Sequence, residues 1–342
     1  MKDSVKEIVN KTKNIVWTFL FFILSCVLLL GCKGIMETTP KEPIALSTYL
    51  EKPILGGTVQ NAYPSLSIPT QITKIEDDYF LIDCYHNQIL TSKSLDTPLL
   101  EWSVLTDQIN KGHTIAGDGE VYLADDTENN RVLIFEKKDG CFYMTQVFEN
   151  IGVRPHFVTY DGGNARFYVL SSMTDELYIF GREEESRTVF LEQILKIPGL
   201  DNIYIRSFTV EDDYIYFVAC NGQILLTSKK DLSVREVYLV PDELAGMVQL
   251  TRIQNYFYLT VSTDLHGNQD YATIVRAKSL QELSDGIYED ISELFVGKGT
   301  PYYISSFDDT YYLTQHCMIP GSGVYSFKVE EDVLKDIMVL YP

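Results

Sequence analysis

Long apolar runs are scarce in this chain of 342 residues: Ile15 to Leu30 is the one stretch of that kind. Any membrane-targeting segment must therefore lie at the N-terminus. Basic residues are few, 28 against 48 acidic, for a net charge of −20 and a pI near 4.6. Such a surface repels nucleic-acid phosphates, which excludes non-specific DNA or RNA binding. A Gly-x-Ser-x-Gly elbow, a P-loop and a dinucleotide fingerprint are all missing. After Cys26 and Cys32, the cysteines Cys84, Cys141, Cys220 and Cys317 show no paired metal spacing. Helical periodicity is rare, and Asp242 to Met247 and Leu280 to Leu283 read as short turns at most. What the chain does have is aromatic residues, 23 Tyr and 17 Phe, set in short alternating runs.

Lys2, Lys6, Lys11 and Lys13 form a positive head before the apolar run. That run is short for a bilayer span and suits the h-region of a signal peptide. Leu29-Leu30-Gly31-Cys32 follows and resembles a bacterial lipobox. The resemblance implies that Cys32 is diacylated and becomes the first mature residue. Residues 1–31 are then a lipoprotein signal peptide and 32–50 a lipidated tether. Residues 51–342 form the folded body. The expected location is the extracytoplasmic face of the cell membrane, with lipid on Cys32 as the membrane partner. A plain signal peptide and an uncleaved anchor helix are the alternatives.

From about residue 68, runs such as Tyr79-Phe80-Leu81-Ile82, Phe167-Tyr168-Val169-Leu170 and Tyr214-Ile215-Tyr216-Phe217-Val218 alternate with Gly, Asp and Asn turns. These are strands by residue type and period. They recur. A marker placed before each aromatic-rich strand falls at Gln71, His113, His156, Arg206, Gln249 and Tyr303, at spacings of 42, 43, 50, 43 and 54 residues. Six such units of four short strands predict an all-β, six-bladed β-propeller. Asp118-Gly119-Glu120-Val121-Tyr122-Leu123-Ala124-Asp125 and Asn129-Asn130-Arg131-Val132-Leu133-Ile134-Phe135 resemble an NHL repeat. Arg154-Pro155-His156-Phe157-Val158 and the residues to Phe180 are similar to the same repeat and to lactonase-type propellers. The resemblance covers roughly residues 113–180 and supports the fold. It implies little about activity, because NHL-type propellers include binding scaffolds and enzymes.

In a propeller the six markers should ring one mouth of the central channel. Asp83, His86, Asp125, Asp126, Ser172, Asp175, Asn221, His266, Gln315 and His316 lie in loops expected on that face. Three readings follow. His113 and His156, with His86 or His316, would suit a divalent metal, as in NHL-type lyases that hold one with axial histidines. Arg206 would pair with the carboxylate of an acidic polysaccharide, with His or Tyr303 moving a proton. Plain recognition of a glycan, peptide or protein ligand is the third. A glycosidase is disfavoured, because no ring position is Asp or Glu. Asp125-Asp126-Thr127-Glu128-Asn129-Asn130 lacks a calcium-loop pattern and reads as turn chemistry. Cys84 and Cys317 end equivalent strands of neighbouring blades, so a disulfide and two free thiols both stay open. The preferred expectation is a binding module that uses Gln71, His86, His113, His156, Arg206, Gln249, Tyr303 and His316. The alternative is a metal-assisted lyase or hydrolase acting on a polysaccharide or lactone, with the metal at His113 and His156.

Overall fold

The computed structural model describes residues 47–295, 299–316 and 323–341. The expected signal peptide, Cys32, Cys317 and Gly321-Ser322 lie outside the described residues. Among the described residues no helix is long and apolar enough to cross a membrane.

The fold is the six-bladed propeller that the sequence predicts. Each blade is an antiparallel meander of consecutive strands. The inner strands are Pro69–Ile75, Ile115–Gly117, Pro155–Asp161, Ile205–Glu211, Gly246–Ile253 and Thr300–Phe307, in blades 1 to 6. The two predicted turns are a 3-10 turn at Asp242–Leu244 and a one-turn helix at Leu280–Ser284.

Period-two alternation divides each strand's side chains between two blade interfaces. In blade 2, Tyr122 and Ala124 pack on blade 1, whereas Val121 and Leu123 pack on blade 3. The outcome is six hydrophobic clusters, one for each pair of adjacent blades. Blade 6 meets blade 1 through Trp102, Tyr312 and Tyr341. Side chains fasten the ring there: Trp102 Nε1 donates to Tyr341 Oη (3.0 Å), which donates to Leu95 O (2.7 Å). Thr314 Oγ1 donates to Thr70 O (3.1 Å), and Lys74 pairs with Asp308 (2.6 Å).

Two blades have a fifth strand that the sequence pattern does not reveal. Ser47–Gly56 pairs with Cys141–Phe148 at the outer edge of blade 2, and Val59–Gln60 with Ser103–Thr106 at the outer edge of blade 1. The first of these straddles the expected boundary at residue 50. Between the two, a Cβ on Gly56 would sit 2.3 Å from Leu105 O, so only glycine allows this close crossing.

The turns after the second strands of blades 1 and 2 share one chemistry. Asp83 Oδ1 accepts from Ser67 N and Asp126 Oδ1 from Asn110 N, both at 2.7 Å. Asn87 and Asn130 adopt φ of 54° and 53°, and their Oδ1 atoms accept from Lys111 N and Arg154 N of the next blade. The Asp125–Asn130 cluster is thus a turn that joins blades.

Candidate functional site at the channel mouth

Each inner strand starts at the same end of the channel, and a bulge sets what sits there. Register shifts fall between Pro69 and Gln71, Pro155 and Phe157, Ile205 and Ser207, and Pro301 and Ile304. The equivalent bulge residues are Thr70, His156, Arg206 and Tyr302. The same register brings His113 and Val248 to this level in blades 2 and 5. The axial set is therefore Thr70, His113, His156, Arg206, Val248 and Tyr302.

Four of these side chains converge. The His113 and His156 rings stack at 3.8 Å between centroids, 24° apart. Tyr302 lies parallel to His113 at 5.9 Å, and its hydroxyl is 3.3 Å from His156 Nε2. The Arg206 guanidinium sits 5.7 Å from the Tyr204 ring and 5.9 Å from that of Tyr302. His316 joins from blade 6, its ring 5.9 Å from Tyr302.

His113 is held by its own turn. Thr127 Oγ1 donates to Asp125 Oδ2 (2.8 Å) and so has only lone pairs for His113 Nδ1 at 2.9 Å. Nδ1 therefore carries a proton, and Nε2 faces Cys84 Sγ at 3.8 Å. Asp125 is fully committed: it also accepts from the backbone N–H groups of His113 and Thr114 and from the Thr114 hydroxyl.

Burial shapes the titration here. It lowers His156 well below the usual histidine range, helped by His113, Arg206 and Arg154. It lowers His316 to about 4, with Arg206 and His113 contributing. It raises Tyr302 well above the usual phenol range and pushes the Cys84 thiol up to about 12. At neutral pH the mouth offers the neutral imidazoles of His156 and His316, the neutral Tyr302 phenol and the Arg206 guanidinium. Arg206 Nε, His156 Nδ1 and Gln315 Oε1 are buried without a hydrogen-bond partner.

The other expected site residues lie elsewhere. Gln71, Gln249 and Tyr303 sit one residue past the mouth level, because the bulge adds a residue before them. Gln71 Oε1 accepts from Ile115 N of blade 2 (2.8 Å). Gln249, 5% exposed, accepts from Ile304 N (2.6 Å) and donates to Ile304 O (3.1 Å) of blade 6. Tyr303 packs on Phe157 at 5.5 Å, and Phe157 on Phe208 at 5.4 Å, so three rings separate the mouth from the rest of the channel. Beyond them a cavity of about 360 Å³ opens toward the opposite end, lined by Thr73, Thr159, Thr209, Thr251 and Ser305. His86 stays apart from the axial cluster. It binds Asp83 at 2.6 Å and stacks on Tyr63 at 3.7 Å. His266 lies exposed in the blade 5 loop, its N–H bonded to Asp264.

The metal reading finds no ligand set. Stacked rings hold their nitrogens in parallel planes, so His113 and His156 do not present lone pairs to a common point. Among the described residues no group of three or more His, Cys, Asp or Glu is arranged to hold an ion. Cys84 is a buried free thiol.

Tyr302 and Tyr204 are the mouth residues that the sequence reading missed. A signal was present: Pro69-Thr70, Pro155-His156 and Pro301-Tyr302 repeat in three blades. Proline suits the first residue of a strand and marks the bulge that follows it here.

No family model and no curated protein matches the chain. Solved structures do. A provisionally named 6-phosphogluconolactonase from Bacteroides uniformis superposes with a TM-score of 0.56 at 12% identity, over 82% of this chain and 88% of that one. A streptogramin B lyase gives 0.53 at 14%, over 82% and 85%. Hydrazine synthase from Kuenenia stuttgartiensis gives 0.52 at 11%, over 82% and 80%. The likeness is one of fold. At these identities the propeller is shared and the chemistry of its mouth is not carried over.

Proposed function

We propose that the protein is a membrane-anchored extracytoplasmic lipoprotein whose propeller binds a ligand at the axial mouth. The anchor half of this reading rests on the lysine-rich head, the apolar run and Leu29-Leu30-Gly31-Cys32. Stable attachment would need two or more acyl chains on Cys32, since one chain binds only marginally. The binding half rests on one observation. His113, His156, Arg206 and Tyr302, from four different blades, meet at one end of the channel and leave buried polar atoms without partners. Polar groups placed that way suit recognition of a guest that supplies the missing bonds.

A lyase or hydrolase acting on a polysaccharide or lactone is the second reading. Two of the similar structures bear the names of a lactonase and a lyase. The neutral His156 imidazole touching the Tyr302 phenol is a proton-transfer pair in form. The full-length protein in detergent separates the two. Under the binding reading, a glycan, peptide and lactone panel yields ligands that raise the melting temperature, with no turnover, and Tyr302→Phe weakens them. Catalytic consumption of a panel member would establish the enzyme instead. For the anchor, Cys32→Ser should release the protein from membranes or block signal removal. Unchanged attachment would mean an uncleaved helix.

A further inference from the structure

Building on the reading that the mouth takes a ligand, we infer that this ligand carries a carboxylate, which Arg206 and His156 hold. The chain has 48 acidic residues for 28 basic ones, and several of its partly buried cations find carboxylates. Arg131 pairs with Asp126 (2.6 Å), Arg182 with Asp118 (2.7 Å), Lys229 with Asp161 (2.8 Å) and Arg276 with Glu289 (2.8 Å). Arg206 breaks the pattern. Among the described residues no carboxylate pairs with it; it hydrogen-bonds Tyr204 and lies beside the Tyr204 and Tyr302 rings, and its Nε is buried without an acceptor. A half-buried guanidinium without a carboxylate, its Nε donor unsatisfied, is costly, and an arriving anion removes that cost.

His156 supplies a second donor. Only 3% of it is exposed. When the Tyr302 hydroxyl donates to Nε2, the ring proton resides on Nδ1, which no other side chain accepts from. Two buried N–H groups then lack acceptors at one mouth, and a carboxylate has two oxygens to offer them.

The charge count selects the class. Rim cations have other contacts: Arg154 Nη1 pairs with Glu128 at 3.1 Å, although its Nε is buried without an acceptor, and Lys111 lies over the Tyr85 ring at 3.3 Å. Burial keeps His156 and His316 neutral, so Arg206 is the cation without a carboxylate among the axial residues. That matches a monoanion better than a phosphate dianion, which would draw on several cations or a nest of backbone N–H groups. The Tyr204 and Tyr302 rings provide aromatic faces for the organic body of the guest.

The test uses the full-length protein in detergent with matched probes: phenylacetate against phenylacetamide, plus acetate and inorganic phosphate. Thermal unfolding and histidine ring ¹⁵N NMR are read on wild type, Arg206→Gln and Arg206→Lys. The inference predicts that phenylacetate binds roughly tenfold to a hundredfold tighter than phenylacetamide, the range of a charge-assisted hydrogen-bonded pair. Carboxylates should shift the His156 resonances. Arg206→Gln should abolish the preference yet melt no lower than wild type when empty, because a stranded charge is gone; Arg206→Lys should keep part of the preference. A lowered melting temperature in Arg206→Gln, with carboxylates indifferent in wild type, would make Arg206 a structural pillar and overturn the inference. Phosphate as the only binder would overturn it too. Equal binding of acid and amide, with mouth histidines shifting, would sink the carboxylate while leaving the mouth reading intact. No probe moving any mouth histidine would remove both.

Discussion

Gln249→Ala distinguishes a blade fastener from a ligand contact. The side chain is buried and spans blades 5 and 6 through two bonds to the Ile304 backbone, at 2.6 and 3.1 Å. Truncation strands a buried N–H and a buried C=O, and each orphaned group costs about 1–3 kcal/mol. Some relaxation is expected, so the sum should be roughly 2–4 kcal/mol. At about 2–3 °C per kcal/mol for a domain of this size, the melting temperature should fall by roughly 5–10 °C. Urea unfolding followed by far-UV circular dichroism, with Trp102 fluorescence reporting the blade 6–blade 1 interface, measures it. Ligand affinity at the mouth should not change in the folded fraction. A variant with wild-type stability and lost ligand binding would refute the bulged register of the inner strands. Gln249 would then face the mouth, as the sequence markers first imply.

Three further outcomes follow from the same geometry. Cys84, its thiol pushed up to about 12 by burial and by Asp125, should stay unlabelled by iodoacetamide at pH 8 until the protein unfolds, while exposed Cys141 labels at once; simultaneous labelling would contradict the packing of the mouth. His316 is held near 4 against 6.5 unfolded, so the unfolded chain takes up the extra proton between those values. Stability should be full above about pH 6.5 and fall toward pH 4, by roughly 3 kcal/mol at most, with His316→Gln flattening this slope in acid titrations. Tyr341→Phe removes the hydroxyl that links Trp102 to Leu95 and should cost about 1–3 kcal/mol in urea melts, an unchanged midpoint meaning that this clasp does not hold the ring.

The strands are legible in the sequence because each side chain faces one of two apolar interfaces, which imposes strict alternation on segments such as Val121–Asp126. Recurrence then exposes the blades. The mouth is half legible. His113, His156 and Arg206 can be found because bulky polar residues on inner strands stand out. Tyr302 is passed over for its neighbour Tyr303, because a bulge shifts the facing by one residue and periodicity does not see bulges. The Pro-x repeat before the bulge carries the register and corrects it. Ser47–Gly56 is invisible for another reason. It has no fully buried face, and beyond the packing of Leu50 it is backbone pairing to an edge strand that makes it a strand. The stacked orientation of the His113 and His156 rings is another feature that spacing along a chain does not encode.

A crystal structure of the protein grown with phenylacetate puts the mouth site to its hardest test. The ligand should lie at the end of the channel where the inner strands begin, its carboxylate on Arg206 and its ring against Tyr204 or Tyr302. A ligand in the threonine-lined cavity beyond Phe157, Phe208 and Tyr303, or an empty mouth at saturating phenylacetate, would contradict a carboxylate-binding mouth.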